Sequence, residues 1–272
     1  MGGKTCAPDQ AERMEAKSIY LFCFAPRESL PSIAGPGLDE TSPLLRVIFK
    51  DVVAVVGEVN AEEWTGPTGE RNLQDLNWVG PRVYHHEEIV ERVMRHSPLF
   101  PSRFGTLFSS LRRLESLLAN HYDEIVNFLN YMSDKEEWGV KALLDGSKAE
   151  RAFLAAKLPP LSSTPGARYL LEQRLRAEAK RGVTSWTRQI GPDIARLLQE
   201  QAVGFRPRKV RTQPEGDREI AFNWAFLLRK DAREEFLNRA ETLSAEHAEW
   251  GLSLETSGPW PPYTFCPTLS EA

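Results

Sequence analysis

The hydrophobic pattern changes rhythm about half-way along the chain. Ser18 to Ala25 (SIYLFCFA) is an apolar, aromatic run closed by Pro26, which predicts a strand. Residues 26–43 carry Pro26, Pro31, Pro36, Pro43, Gly35 and Gly37 and read as a loop. Leu44 to Val59 predicts two strands separated by Lys50 and Asp51, and its valine content suits a sheet covered on both faces. Residues 60–71, with Gly66, Pro67 and Gly69, read as a flexible excursion. Helical spacing follows from about Asn72, with an interruption expected at Gly80 and Pro81. Phe100 to Phe108 (FPSRFGTLF) is punctuated and extended, and Ser110 to Met132 repeats its leucines as one long amphipathic helix.

Beyond residue 133 the pattern differs. Glu136 to Leu144 alternates Trp138, Val140, Ala142 and Leu144 on one strand face. Residues 147–157 and 166–201 are helix-prone, with a break expected near Gly191 and Pro192. Ala202 to Val210 predicts a strand, EGDR at 215–218 a turn, and Ile220 to Leu228 a strand of alternating bulky residues. A helix over 231–249 and an extended segment from Leu252 complete the order β-α-β-β-α-β, the ferredoxin-like split arrangement. The fold class is therefore α+β in two domains. An N-terminal α+β domain spans 18–132, and a modified ferredoxin-like (βαββαβ) domain with a long helical arm spans 133–256. A polar extension, 1–17, precedes them, and a tail, 257–272, is expected to dock on the N-terminal domain.

Composition narrows the function classes. Lys and Arg number 34 against 38 Asp and Glu, a formal charge of −4, which disfavours a strongly basic nucleic-acid binder but leaves room for a local basic patch. No apolar run approaches the roughly 20 residues that span a bilayer. The amino terminus lacks the apolar core of a secretory signal. Three scattered cysteines, Cys6, Cys23 and Cys266, suit a reducing cytoplasm rather than a disulfide framework.

Candidate chemistry is sparse. His85 and His86 are adjacent on a helix, so their imidazoles diverge by about 100° and do not share one ion. HExxH, CxxC, GxSxG, Walker A and GxGxxG are all absent. Cys23, inside a buried strand, reads as a small hydrophobe. The segment FRPRKVR (205–211) places Arg206 and Arg208 on one strand face and Lys209 and Arg211 on the other. It reads either as a charged edge strand or as a contact for nucleic acid or an acidic partner. The tail SGPWPPYTF (257–265) joins three fixed prolines to Trp260, Tyr263 and Phe265 and suits a preformed groove, with Trp260 and Tyr263 largely buried.

That tail resembles the C-terminal signature of the gas vesicle GvpL/GvpF family. SIYLFCF at 18–24 is similar to the family's first strand, PSRFGTLFSS at 101–110 to its central motif, and EEWGVK at 136–141 to the opening of its second domain. His86 falls where the family carries a histidine in its first helix. The resemblance implies a non-catalytic accessory protein of gas vesicle assembly, without cofactor or metal. Its implied partners are the gas vesicle shell protein and other accessory proteins, not nucleic acid or membrane, and its place is the gas vesicle within the cytoplasm, with some members on the gas-facing side. A shell subunit exposes apolar surface before assembly, so a soluble partner that covers it is physically reasonable. The alternatives are a ferredoxin-like enzyme or ligand-binding protein, and a nucleic-acid-binding protein using 206–211. The interaction candidates are Arg103, Phe104, Gly105, Trp138, Gly139, Trp260, Pro261, Pro262, Tyr263 and Phe265. Phe104 and Phe108, four apart, are expected to share a strand face, and Arg103 to pair with a carboxylate or backbone carbonyls beside the core.

Overall fold

The computed structural model describes residues 17–30, 32–39, 42–157, 165–210 and 218–269. The extension 1–17, apart from Lys17, lies outside them, as do Cys6, Pro31, Arg211 and most of the EGDR turn. The chain divides into two compact units, residues 1–130 with 268–272, and residues 131–267.

In the first unit, strand β1 (Lys17–Pro26) is central, and β2 (Leu45–Phe49) and β3 (Val52–Asn60) form a hairpin turning at Lys50, whose φ is +51°. Three helices follow: α1 (Ala61–Trp64), α2 (Gly66–Asn72) and α3 (Leu76–Met94). The stretch 60–71 is thus helical rather than a free excursion. Asn60 caps α1 by accepting the Glu62 N–H, and Pro67 sits at the start of α2, where its missing N–H has no intrahelical partner to lose. Helix α3 runs through Pro81 without a break. Two-residue strands β4 (Phe100–Pro101) and β5 (Leu107–Phe108) precede α4 (Leu111–Asn120) and α5 (Tyr122–Met132). The expected single helix over 110–132 is therefore divided at His121, where the backbone leaves helical geometry.

The sheet order is β2-β3-β1-β4, with β5 also paired to β1. Val52 to Val56 are all buried, as a valine run must be when helices lie on both sides. One face holds Tyr20, Phe22, Val53 and Val55 against Ile89, Val90 and Val93 of α3. On the other, the Phe100 ring stands between Phe24 and Phe128 at 5.9 and 5.0 Å.

The second unit contains β6 (Lys135–Leu144), α6 (Gly146–Lys157), α7 (Pro165–Gln199), β7 (Gly204–Pro207), β8 (Glu219–Arg229), α8 (Arg233–His247) and β9 (Leu252–Trp260). Its four strands are ordered β7-β8-β6-β9, every neighbour antiparallel. Alternation places Trp138, Val140, Ala142, Trp224, Phe226 and Leu228 on the face that packs against Val183 and Leu198 of α7 and Phe236, Ala240 and Leu243 of α8. Helix α7 does not break at Gly191 and Pro192. Gly191 instead admits the Phe222 ring, whose nearest atom would lie 2.2 Å from a Cβ built there.

The tail departs from expectation. Residues 257–260 continue β9 at the sheet edge, where Pro259 is tolerated because no further strand among the described residues requires an N–H there. The chain then crosses its own unit, and residues through Pro267 belong there rather than to the first.

Candidate interaction site

The RFGT motif is a turn. β4 and β5 both pair with β1, Phe100 and Pro101 opposite Phe24 and Cys23, and Leu107 and Phe108 opposite Tyr20 and Ile19. Between them the Ser102 N–H donates to the Phe22 carbonyl at 2.9 Å, and the Leu21 N–H to the Thr106 carbonyl at 3.0 Å. Residues 102–106 therefore bulge from a strand edge fixed at both ends. Gly105 turns the chain with φ +82°, a conformation that disfavours a side chain. The Arg103 carbonyl accepts from the Thr106 N–H at 3.2 Å and its hydroxyl at 2.7 Å.

A buried pair clamps this turn from beneath. The Tyr20 hydroxyl accepts the Gly105 N–H at 3.1 Å and lies 2.9 Å from His86 Nδ1. Both side chains are fully buried. Burial pushes the His86 imidazole down to about 4 and the Tyr20 phenol well above its usual range, so both are neutral near pH 7. With its oxygen accepting from Gly105, Tyr20 directs its proton to Nδ1, which leaves the imidazole proton on Nε2. His86 also bonds the Ser102 backbone. The pair thus reaches the turn at two points three residues apart.

Phe104 packs edge-on against Tyr20 and His86 and beside Trp64, with centroids 6.2, 5.9 and 5.4 Å away. Phe108, paired with Ile19, lies on the opposite sheet face, because the turn between them breaks strand alternation. Arg103 points outward. It is exposed and has no side-chain hydrogen bond or ion pair among the described residues, contrary to the expectation of a satisfied arginine beside the core. The backbone turns its side chain away from the aromatic cluster, so desolvation never demands a partner.

The other candidates meet in the second unit, on the sheet face away from its helices. Glu137 and Gly139 share that face, whereas Trp138 points to the core and donates its Nε1–H to Glu136 at 3.2 Å. Glu137 is only 1% exposed. Its carboxylate is paired with Arg208 and accepts the Thr264 hydroxyl at 2.6 Å and the Thr264 N–H at 3.1 Å. Arg208 also donates to the Thr264 hydroxyl oxygen at 2.8 Å. Burial raises the Glu137 carboxyl, while Thr264 and Arg208 pull against it. Gly139 lies beneath the arginine. A Cβ there would meet Ser257 Oγ at 3.0 Å and an Arg208 Nη at 3.5 Å.

The tail thus straps the sheet. Pro261 and Pro262 are buried, and Tyr263 and Phe265 are half-buried, with Phe265 against Gly204. Trp260 is 41% exposed and donates to Ser257 Oγ at 3.1 Å, so it is less buried than its size suggests. Of the basic segment, Arg208 serves this strap and Arg206 and Lys209 are exposed. Neither network was legible as a pair. A histidine on an apolar helix stripe and a glutamate two residues before a strand glycine were the available signals.

The shifted groups in these networks are enclosed by packed aromatic rings or by the strap. Among the described residues no group of three or more His, Cys, Asp and Glu is placed to hold a metal, and no helix is long and apolar enough to cross a membrane.

The model of the family described as gas vesicle synthesis protein GvpL/GvpF matches residues 18–267. The chain belongs to that family. Gas vesicle protein L of a Streptomyces species is 24% identical over 226 residues, covering 81% of this chain and 82% of that protein. Gas vesicle protein F of the same source is 27% identical over 253 residues, covering 91% and 98%. The crystal structure of GvpF from an Anabaena species shares the fold, with a TM-score of 0.68 at 17% identity over 94% of this chain and 98% of that one. In this GvpL/GvpF chain, the clamped turn and the strapped sheet face are where four motifs of the sequence settle.

Proposed function

We propose that this protein is a non-catalytic accessory factor of gas vesicle assembly that binds the principal shell protein and acts at the vesicle within the cytoplasm. Its second unit is read as a ferredoxin-like βαββαβ domain, in keeping with the strand order β7-β8-β6-β9. One observation carries the binding role: Arg103 is an exposed guanidinium without a partner among the described residues, on a turn held by two buried side chains. Ordering an arginine on binding costs side-chain entropy, and a backbone already fixed reduces what remains to be ordered. Its planar donors suit a carboxylate of the shell subunit. Helix α3 of the same unit adds Leu76 and Tyr84, 83% and 68% exposed. The basic strand supports nucleic-acid binding less well, because Arg208 is paired with Glu137.

Co-purification of the shell protein with wild type and with Arg103→Ala tests this reading. Binding by wild type, weakened in a variant of unchanged melting temperature, is the expected outcome. Absence of association with wild type, together with normal vesicles in a deletion strain, overturns the role. Equal binding by both proteins removes Arg103 from the interface.

A further inference from the structure

Edge strand β9 and helix α8 enclose a groove of about 490 Å³. Its apolar floor includes Leu237, Ala245 and Leu254. β9 pairs only with β6 among the described residues, so its outer edge carries no strand. The register from Leu252 to Ser257 is regular, and the Leu254 N–H donates to Ser244 Oγ on α8 at 2.9 Å rather than to β6. In an antiparallel ladder, N–H and C=O of one residue point to the same side and alternate along the strand. The N–H and C=O of Thr256 and the C=O of Leu254 therefore face outward. Thr256 also lines the groove, and the strand is exposed from Glu255 onward. Edge strands are commonly blunted by lysine, proline or a cover. Here Pro259 blunts the far end and Ser244 of α8 occupies the Leu254 N–H, which leaves the Leu254 carbonyl and the N–H and C=O of Thr256 as the open groups beside the groove.

We propose that this edge and groove form a docking site for an extended basic peptide segment of a partner, added as a fifth strand beside β9. The outward backbone groups of 254 and 256 supply the ladder. The groove takes one side chain of every alternate pair, in the manner of strand addition to an exposed edge. Charge selects the segment. Glu241 is the one ionisable residue lining the groove, and no cation pairs with it among the described residues. A second copy of this chain fits less well, since its own β9 segment, LSLETSGPW, carries no lysine or arginine to meet Glu241. This inference is independent of the Arg103 reading.

The test uses the full-length protein and a short capped peptide alternating valine and lysine, with a valine–glutamate peptide as control. The lysine peptide is expected to bind and to slow amide exchange at Thr256. Glu241→Lys is expected to weaken it about 2- to 5-fold and to reverse the preference between the peptides. Thr256→Pro removes the outward N–H and leaves the β6 ladder bonds in place, so it is expected to abolish binding. No binding of the lysine peptide to wild type, the same preference in Glu241→Lys, or undiminished binding by a folded Thr256→Pro each overturns the proposal. Should the proline variant fail to fold, the surface substitution Glu241→Lys still decides.

Discussion

Removing a single oxygen tests the buried clamp. Tyr20→Phe keeps a ring that contacts Phe22 at 4.9 Å and Trp64 at 5.3 Å, so packing is nearly conserved. What disappears is the hydroxyl that accepts from Gly105 and donates to His86. His86 is 0% exposed, and its Nδ1 is left as a buried acceptor without a donor, at a cost of about 1–3 kcal/mol. Gly105 is half-buried and regains water in part, adding about 1 kcal/mol or less. The sum, about 1–4 kcal/mol, lowers the melting temperature of the first unit by about 4–16 °C. Urea unfolding monitored by circular dichroism gives the energy, and amide exchange at Gly105 locates it. Adding His86→Leu removes the orphaned acceptor, so the double variant should cost less than the sum of the single variants by about 1 kcal/mol. A Tyr20→Phe protein within about 0.5 kcal/mol of wild type, with Gly105 equally protected, would refute the clamp.

Three further outcomes follow from the same geometry. His86 titrates near 4 when folded against 6.5 when unfolded, so its contribution, about 3 kcal/mol, is present above pH 6.5 and lost as pH falls toward 4; urea midpoints across this window check it, and a His86→Leu variant should show a flatter dependence. Arg208→Ala leaves the buried Glu137 carboxylate without its cation and should cost about 2–4 kcal/mol, below the upper range for buried pairs because the arginine side chain is 31% exposed. Arg206→Ala, on the exposed neighbour, should change unfolding energy by less than about 0.5 kcal/mol. Gly139→Ala puts a methyl 3.0 Å from Ser257 Oγ, beneath Arg208, and should loosen the tail, seen as faster proteolysis after Pro262.

Elements with strong local signals were legible from residues alone. The β2–β3 hairpin follows from apolar runs on either side of Lys50 and Asp51, valine-rich on the second side, and the strand sequence of the second unit from alternation in 136–144 and 220–228. Helix ends were less legible where short-range chemistry decides them. Pro81 and Pro192 are helix breakers in isolation, yet both sit within helices whose packed faces outweigh the lost hydrogen bond, and the Phe222 ring fills the space that Gly191 leaves. The division at His121 carries no proline or glycine. The site residues were found by motif, but their roles depend on partners far away in sequence. Tyr20 and His86 are 66 residues apart, and no local period reports that one hydroxyl joins them to Gly105. Alternation alone puts Phe104 and Phe108 on one face, but the left-handed Gly105 between them interrupts the strand, and the same turn carries Arg103 out to solvent.

The bond between Thr264 and Glu137 spans 127 positions. It has a consequence for the order of biosynthesis. During translation the amino-terminal sheet has all its strands by Phe108, and the clamp beneath the turn needs nothing beyond Thr106. The carboxylate of Glu137, by contrast, is made long before the residue that covers it. While synthesis continues, that sheet face stays wet and its edge unstrapped, and the second unit closes only once a contact across 127 positions can form. A nascent chain therefore presents a finished turn well before it presents a finished molecule.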